Sequence, residues 1–220
     1  MIRLHHVPFS RSFRVLWMLT EMGLEFEIAA YSIRDGSLRS EAFRAISPAG
    51  RVPALEIDGQ ALFESGAILE YLCETRPEAG LGRAPGAPDR ARYLELMSFA
   101  ETQAALIEQL NMAHVFLRDP AQAAPVVTKL NTRRLAVTLA TLESRVGAAY
   151  LLDTGFSAAD VMLGFNLFSA PYFVPLDGYP ALSAYRARLE ARPAYAAARA
   201  RDGVQDFYDR DFYPVPEVAP

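Results

Sequence analysis

The sequence is short of several residue types, and each shortage removes a class of function. It holds one cysteine, Cys73, in 220 residues. No disulfide can form within the chain, and no Cys-x-x-Cys redox pair is present. This usage fits a reducing compartment. Histidine is scarce, at three. His5, His6 and His114 stand in no Cys/His/carboxylate spacing of a zinc site, so no metal is expected. An excess of positive charge is missing too: 22 basic against 26 acidic residues give a formal charge of −4. That argues against a broad nucleic-acid-binding surface but leaves room for a local anion pocket. No apolar run reaches the length of a membrane helix. The start, Met1-Ile2-Arg3-Leu4-His5-His6, lacks the basic segment and apolar run of a signal peptide. The expectation is a cytoplasmic protein with no nucleic-acid partner and no membrane.

What is present is apolar material, 51% of the residues, enough for one or two domains with buried cores. Residues 2–6 read as a strand and 12–22 as a helix, with Phe13, Leu16 and Trp17 at helical spacing and Gly23 to stop it. Glu25-Phe26-Glu27-Ile28 alternates as a strand does, giving a βαβ unit with parallel strands. No glycine follows the first strand in Val7-Pro8-Phe9-Ser10-Arg11-Ser12, so it is not a phosphate-binding loop. After a short helix near 40–46, residues 54–57 and 60–63 flank Asp58-Gly59, a strong hairpin signal. A helix over 65–75 follows, ended by Arg76-Pro77. The stretch 79–88 is rich in Gly, Pro and Ala and reads as a linker. Beyond it only helices are expected, at about 90–116, 123–146, 158–169, 181–191 and 194–201. The tail, 211–220, is proline-rich and expected to be loosely held. Ser157 and Asp160 have the spacing of a capping box and read as structural. Cys73 reads as a buried helix residue.

The ordered set of Ser10-Arg11-Ser12-Phe13-Arg14-Val15-Leu16-Trp17, then Arg51-Val52-Pro53, then Phe63-Glu64-Ser65, then a Pro/Gly linker and a helical domain with Ser157-Ala158-Ala159-Asp160, resembles the cytosolic glutathione transferase family. The resemblance is to bacterial members with a serine-type N-terminal motif. It implies an α/β thioredoxin-like N-terminal domain (1–78) that binds glutathione, the linker (79–88), and an all-α C-terminal domain (89–220) holding the electrophile. It further implies a homodimer and a detoxification role.

The same resemblance implies that Val52-Pro53 is cis. Proline has no N–H, and the residue before it favours extended backbone. Val52 can then pair with an extended peptide as an added strand would. Glutathione is such a peptide. Ser65 opens a helix whose N–H groups and dipole favour an anion, in relatives the γ-glutamyl carboxylate. Glu64 is placed to face the ligand's ammonium, and Arg51 its glycyl carboxylate. Family members stabilise the thiolate of glutathione with a tyrosine, serine or cysteine after the first strand. Here the loop offers Ser10 and Ser12, with Arg11 adding positive potential. A hydrogen bond to a charged group is worth about 1.5–3 kcal/mol, or roughly one to two pKa units on a thiol near 8.5. The electrophile pocket is expected between the domains, near Val7–Phe9, Leu106, Leu110, Met112 and His114, with the aromatic tail (Phe207-Tyr208, Phe212-Tyr213) over it or on the surface. The reading is a transferase acting on a small hydrophobic electrophile. Two alternatives stay open: glutathione-dependent lyase, isomerase or peroxidase chemistry on the same site, or a non-catalytic interaction protein that kept the fold.

Overall fold

The computed structural model describes residues 1–216, so the last four residues of the expected loose tail lie outside it. The chain forms two compact units, one of residues 1–90 with 190–205, the other of residues 91–189 with those from 206 on.

The first unit is built on a four-stranded sheet: β1 (Arg3–His6), β2 (Glu27–Ala30), β3 (Ala54–Ile57) and β4 (Gln60–Phe63), in the order β2-β1-β3-β4. β1 and β2 run parallel; β3 is antiparallel to β1 and to β4. The β3–β4 turn uses Asp58 (φ 53°) and Gly59 (φ 78°), both left-handed. A two-residue turn of that kind matches the twist of the strands it joins. The helix α1 (Ser12–Glu21) is buried from Ser12 to Leu19, and α3 (Ser65–Thr75) packs beside it, while the short α2 (Glu41–Ile46) is capped by the Ser40 hydroxyl. This mixed sheet with its helices is the thioredoxin-like arrangement expected. β2 begins two residues later than its alternation indicates. Pairing with β1 sets its register, and the ion pair Arg3–Glu27 (3.0 Å) fixes the first rung.

Two features go beyond these expectations. The linker is closely packed: Gly82 lies so near Cys73 that an added Cβ would sit 2.7 Å from the cysteine's own. Arg83, buried, donates to the carbonyls of Gly80 and Gly82. The last helix, α8 (Pro193–Asp202), belongs to the first unit rather than to the helical one. Its Tyr195 meets Phe13 and Trp17 edge-on, with centroids at 5.7 and 5.1 Å. Arg192 grips Glu21 through two hydrogen bonds of 2.7 and 2.8 Å. Each edge-on pair is worth about 0.5–1.5 kcal/mol beyond the area it buries, which favours this docking face.

The second unit contains α4 (Arg90–Asn111), α5 (Pro125–Glu143), α6 (Ala158–Ser169) and α7 (Pro180–Glu190), with α4's first residue counted in the first unit. Every residue of α6 is buried, as befits a helix that is mostly apolar around its circumference. Its one amide, Asn166, donates to the Ala100 carbonyl at 2.9 Å. The tail packs rather than trails: Tyr208 stacks on Tyr172 with centroids 3.9 Å apart, and the Tyr213 N–H donates to the Tyr172 carbonyl at 2.7 Å. No helix among the described residues is long and apolar enough to cross a membrane.

Candidate active site

One cleft of the first unit is lined by Arg11, Ser47, Ala49, Arg51, Val52, Pro53, Phe63, Glu64 and Ser65. It gathers the six residues expected to bind the ligand, although they come from three separated segments. The Val52-Pro53 bond is cis. Ser47 donates its hydroxyl to the Arg51 carbonyl at 2.8 Å, which ties the loop before Val52 to the end of α2. No protein hydrogen bond engages the Val52 N–H or C=O among the described residues, so both stay available to a ligand.

Glu64 and Ser65 sit where β4 turns into α3. Glu64 is the residue before the helix, with φ 73° and ψ 113°. A non-glycine residue in this region is held at a cost of about 1–3 kcal/mol, and such residues gather at functional sites. The carboxylate does not cap the helix and is exposed to the cleft. Ser65 is the first helical residue rather than the cap, and it is buried. Its hydroxyl accepts a 2.9 Å hydrogen bond from the Arg14 guanidinium, itself fully buried.

Arg14 is the member of this site that sequence reasoning passed over. The available signal was that Arg14 is the one charged residue in the stretch from Ser12 to Thr20, set between Phe13 and Val15. A buried cation needs a partner, and Ser65 lies 51 residues away.

The two serines separate in role. Neither lines the cleft as its nine residues define it. Ser12 is fully buried, with its Oγ 2.7 Å from His6 Nδ1, 2.7 Å from Ser10 Oγ and 3.2 Å from the Val7 N–H nitrogen. These partners enclose the Ser12 hydroxyl on several sides. Ser10 is half-buried, and its Oγ also accepts the Ser12 N–H at 3.2 Å. It is the hydroxyl of the pair that has an open side.

In the second unit, His114 stacks on Phe173 (5.7 Å) and leans on Tyr213 (5.6 Å). Burial, helped by Arg210, lowers the pKa of His114. Tyr208 donates to Asn111 Oδ1 at 2.7 Å. The capping box is formed, with Asp160 accepting from the Ser157 N–H at 2.8 Å. Among the described residues no group of three or more His, Cys, Asp and Glu side chains could hold a metal ion.

Comparison with known proteins agrees with this geometry. Residues 1–74 match the family model described as Glutathione S-transferase, N-terminal domain. The chain is 34% identical over 191 residues to maleylacetoacetate isomerase of Rattus norvegicus, covering 84% of this chain and 86% of the relative. It is 28% identical over 238 residues to Glutathione S-transferase 3 of Schizosaccharomyces pombe, covering 100% and 97%. Among solved structures, a sphingomonad glutathione S-transferase complexed with glutathione superposes with a TM-score of 0.78 at 30% identity, covering 92% of this chain and all of that one. On its sequence, its fold and its relatives, the chain belongs to the glutathione S-transferase family.

Proposed function

We propose that the protein is a glutathione transferase whose cleft binds glutathione and whose Ser10 stabilises the thiolate for attack on a small hydrophobic electrophile. The observation that carries the reading is the polarity of the cleft. Two guanidinium groups, one helix N-terminus, one carboxylate and Val52, whose backbone N–H and C=O have no protein partner among the described residues, line it. Glutathione brings two carboxylates, one ammonium and an extended cysteinyl backbone, which is the complementary set. Ser65 and the N-terminus of α3 take the γ-glutamyl carboxylate, with Arg14 behind them. Glu64 takes the ammonium, Val52 pairs with the cysteinyl backbone, and Arg51 and Arg11 face the remaining negative charge. Calorimetric titration with glutathione tests this directly: saturable one-to-one binding supports it, and no heat with a folded protein contradicts it.

Glu64 gives a sharper test, because its stability and its binding role pull apart. Glu64→Gly relieves the left-handed backbone, so the melting temperature holds or rises slightly. The same change removes a charge-assisted contact, so glutathione affinity falls roughly 10- to 100-fold. A variant that loses stability and keeps its affinity contradicts the assignment.

A second reading has an observation of its own, the match to the rat isomerase. A thiolate that adds to an activated double bond and then leaves would isomerise it and return glutathione unchanged. Glutathione consumed during turnover identifies the transferase; glutathione conserved identifies the isomerase. The family resemblance also supports a homodimer. Light scattering then gives twice the 24.3 kDa chain mass, and a monomer at assay concentration would contradict it.

A further inference from the structure

A buried chain of polar groups runs behind Ser10. Ser10 Oγ lies 2.7 Å from Ser12 Oγ, and Ser12 Oγ lies 2.7 Å from His6 Nδ1. His6 Nε2 lies 3.0 Å from the Asp202 carbonyl and 3.1 Å from Asp202 Oδ1. His6, Ser12 and Asp202 are all but closed to solvent. The other Asp202 oxygen is paired with Arg199, and the Phe9 N–H donates to Oδ1 at 3.3 Å. The charged groups in this chain therefore both come from α8. On the sheet, the neighbour of His6 in β2 is Ala30, and the ladder to β3 stops one residue earlier at His5–Ala54.

Donor and acceptor roles follow from this inventory. Nε2 faces only acceptors, so it carries a proton. In the neutral ring Nδ1 must then accept. Ser12 has one proton and two acceptors in reach, Nδ1 at 2.7 Å and the Val7 carbonyl at 3.2 Å, and donates it to the nearer. Ser12 Oγ can next only accept from Ser10, which turns the Ser10 proton inward. In that polarity Ser10 offers a lone pair on its open side, which is the wrong sign for holding a thiolate but the right sign for receiving a thiol proton.

We propose that His6 accepts the proton of the glutathione thiol, relayed through Ser10 and Ser12. The inference rests on the glutathione reading above. The S–H bond breaks as the proton passes to Ser10 Oγ. Ser10 gives its own proton to Ser12, and Ser12 gives its own to His6 Nδ1. Each hydroxyl loses one proton and gains one, and no proton enters solvent. The sulfur becomes anionic and the imidazole becomes cationic beside the Asp202 carboxylate. The Ser10–Ser12 and Ser12–His6 hydrogen bonds are now reversed, the Nε2–H bond to Asp202 is kept, and the Ser10 O–H points at the thiolate. One event both removes the proton and creates the donor that stabilises its product. Ser12 and His6 touch no substrate; they are positioning and relay residues acting through Ser10. The relay also gives α8, far along the sequence, a reason to be locked to α1.

The test counts protons. Glutathione is added to the wild-type protein in weakly buffered solution near neutral pH, and thiolate absorbance and proton release are read together. The relay predicts far less than one proton released per thiolate formed. In His6→Asn, which keeps a polar group near the Nδ1 position but cannot take a proton, the ratio rises to about one and kcat/KM falls roughly 10- to 100-fold. A merely structural His6 would leave the ratio unchanged. A wild-type ratio near one, with thiolate formed, overturns the relay and leaves the glutathione reading intact. Absence of any bound thiolate overturns the glutathione reading, and the relay with it.

Discussion

Replacing Asp160 with alanine lowers the melting temperature by about 10 °C or more, the largest stability effect expected of any single change discussed. The side chain is buried at the start of α6 and accepts four hydrogen bonds. They come from the Ser157 N–H (2.8 Å), the Ser157 hydroxyl (3.1 Å), the Leu151 N–H (3.1 Å) and the Tyr185 hydroxyl (2.7 Å). Alanine leaves several of these donors buried without a partner, at about 1–3 kcal/mol each. Against this stands relief from burying a carboxylate, whose pKa is raised chiefly by that burial and pulled back by its four donors. The net loss is about 3–5 kcal/mol.

The sign of the pH effect follows. A carboxyl whose folded pKa exceeds its unfolded value makes the protein less stable as pH rises between the two. Asp160→Asn does not titrate. The stability gap between wild type and this variant is therefore widest at acid pH and narrows as pH climbs above the ordinary aspartate value. Activity per folded molecule is unchanged, since Asp160 is structural. Full stability with lost activity in Asp160→Ala would contradict this.

Ser10→Ala carries the largest effect on catalysis. The bound thiol loses one donor to its charged form, and its pKa rises by roughly one to two units. Near neutral pH the thiolate becomes a minor species, and kcat/KM falls about 10- to 100-fold. Binding of glutathione is expected to be nearly unaffected, because the contacts proposed for its carboxylates and ammonium come from other residues. Ser10 also accepts the Ser12 N–H at the start of α1, so the variant loses about 1 kcal/mol of stability. Kinetics and thiol pKa both equal to wild type would remove Ser10 from the mechanism.

Much of this architecture can be read from local pattern, and the particular elements show why. Asp58-Gly59 names its own turn, because both positions need left-handed backbone and these residue types tolerate it. Arg51-Val52-Pro53 and Glu64-Ser65 could be recognised as an ordered set. What the sequence hides is long-range. The helical spacing of α8 shows that it has a buried face, but nothing in Pro193–Asp202 says that the face meets Phe13 and Trp17 rather than another helix. His6 reads as a strand residue, and its partner Asp202 is 196 positions away. Glu64 shows no outward sign of its positive φ, since glutamate is not a residue that signals it. Arg14 looks like a surface charge until α1 is seen to be buried along its first two turns. In each case, identity and spacing determine the local element, and tertiary packing determines the chemistry.

The central claim is that this cleft binds glutathione and lowers the pKa of its thiol. The most direct measurement is a pH titration of thiolate absorbance for the protein–glutathione complex, beside free glutathione in the same buffers. The account predicts a bound pKa at least about one unit below the ordinary thiol value near 8.5, moving back toward it in Ser10→Ala. A bound thiol that titrates where the free one does, or a folded protein that binds no glutathione, would contradict it.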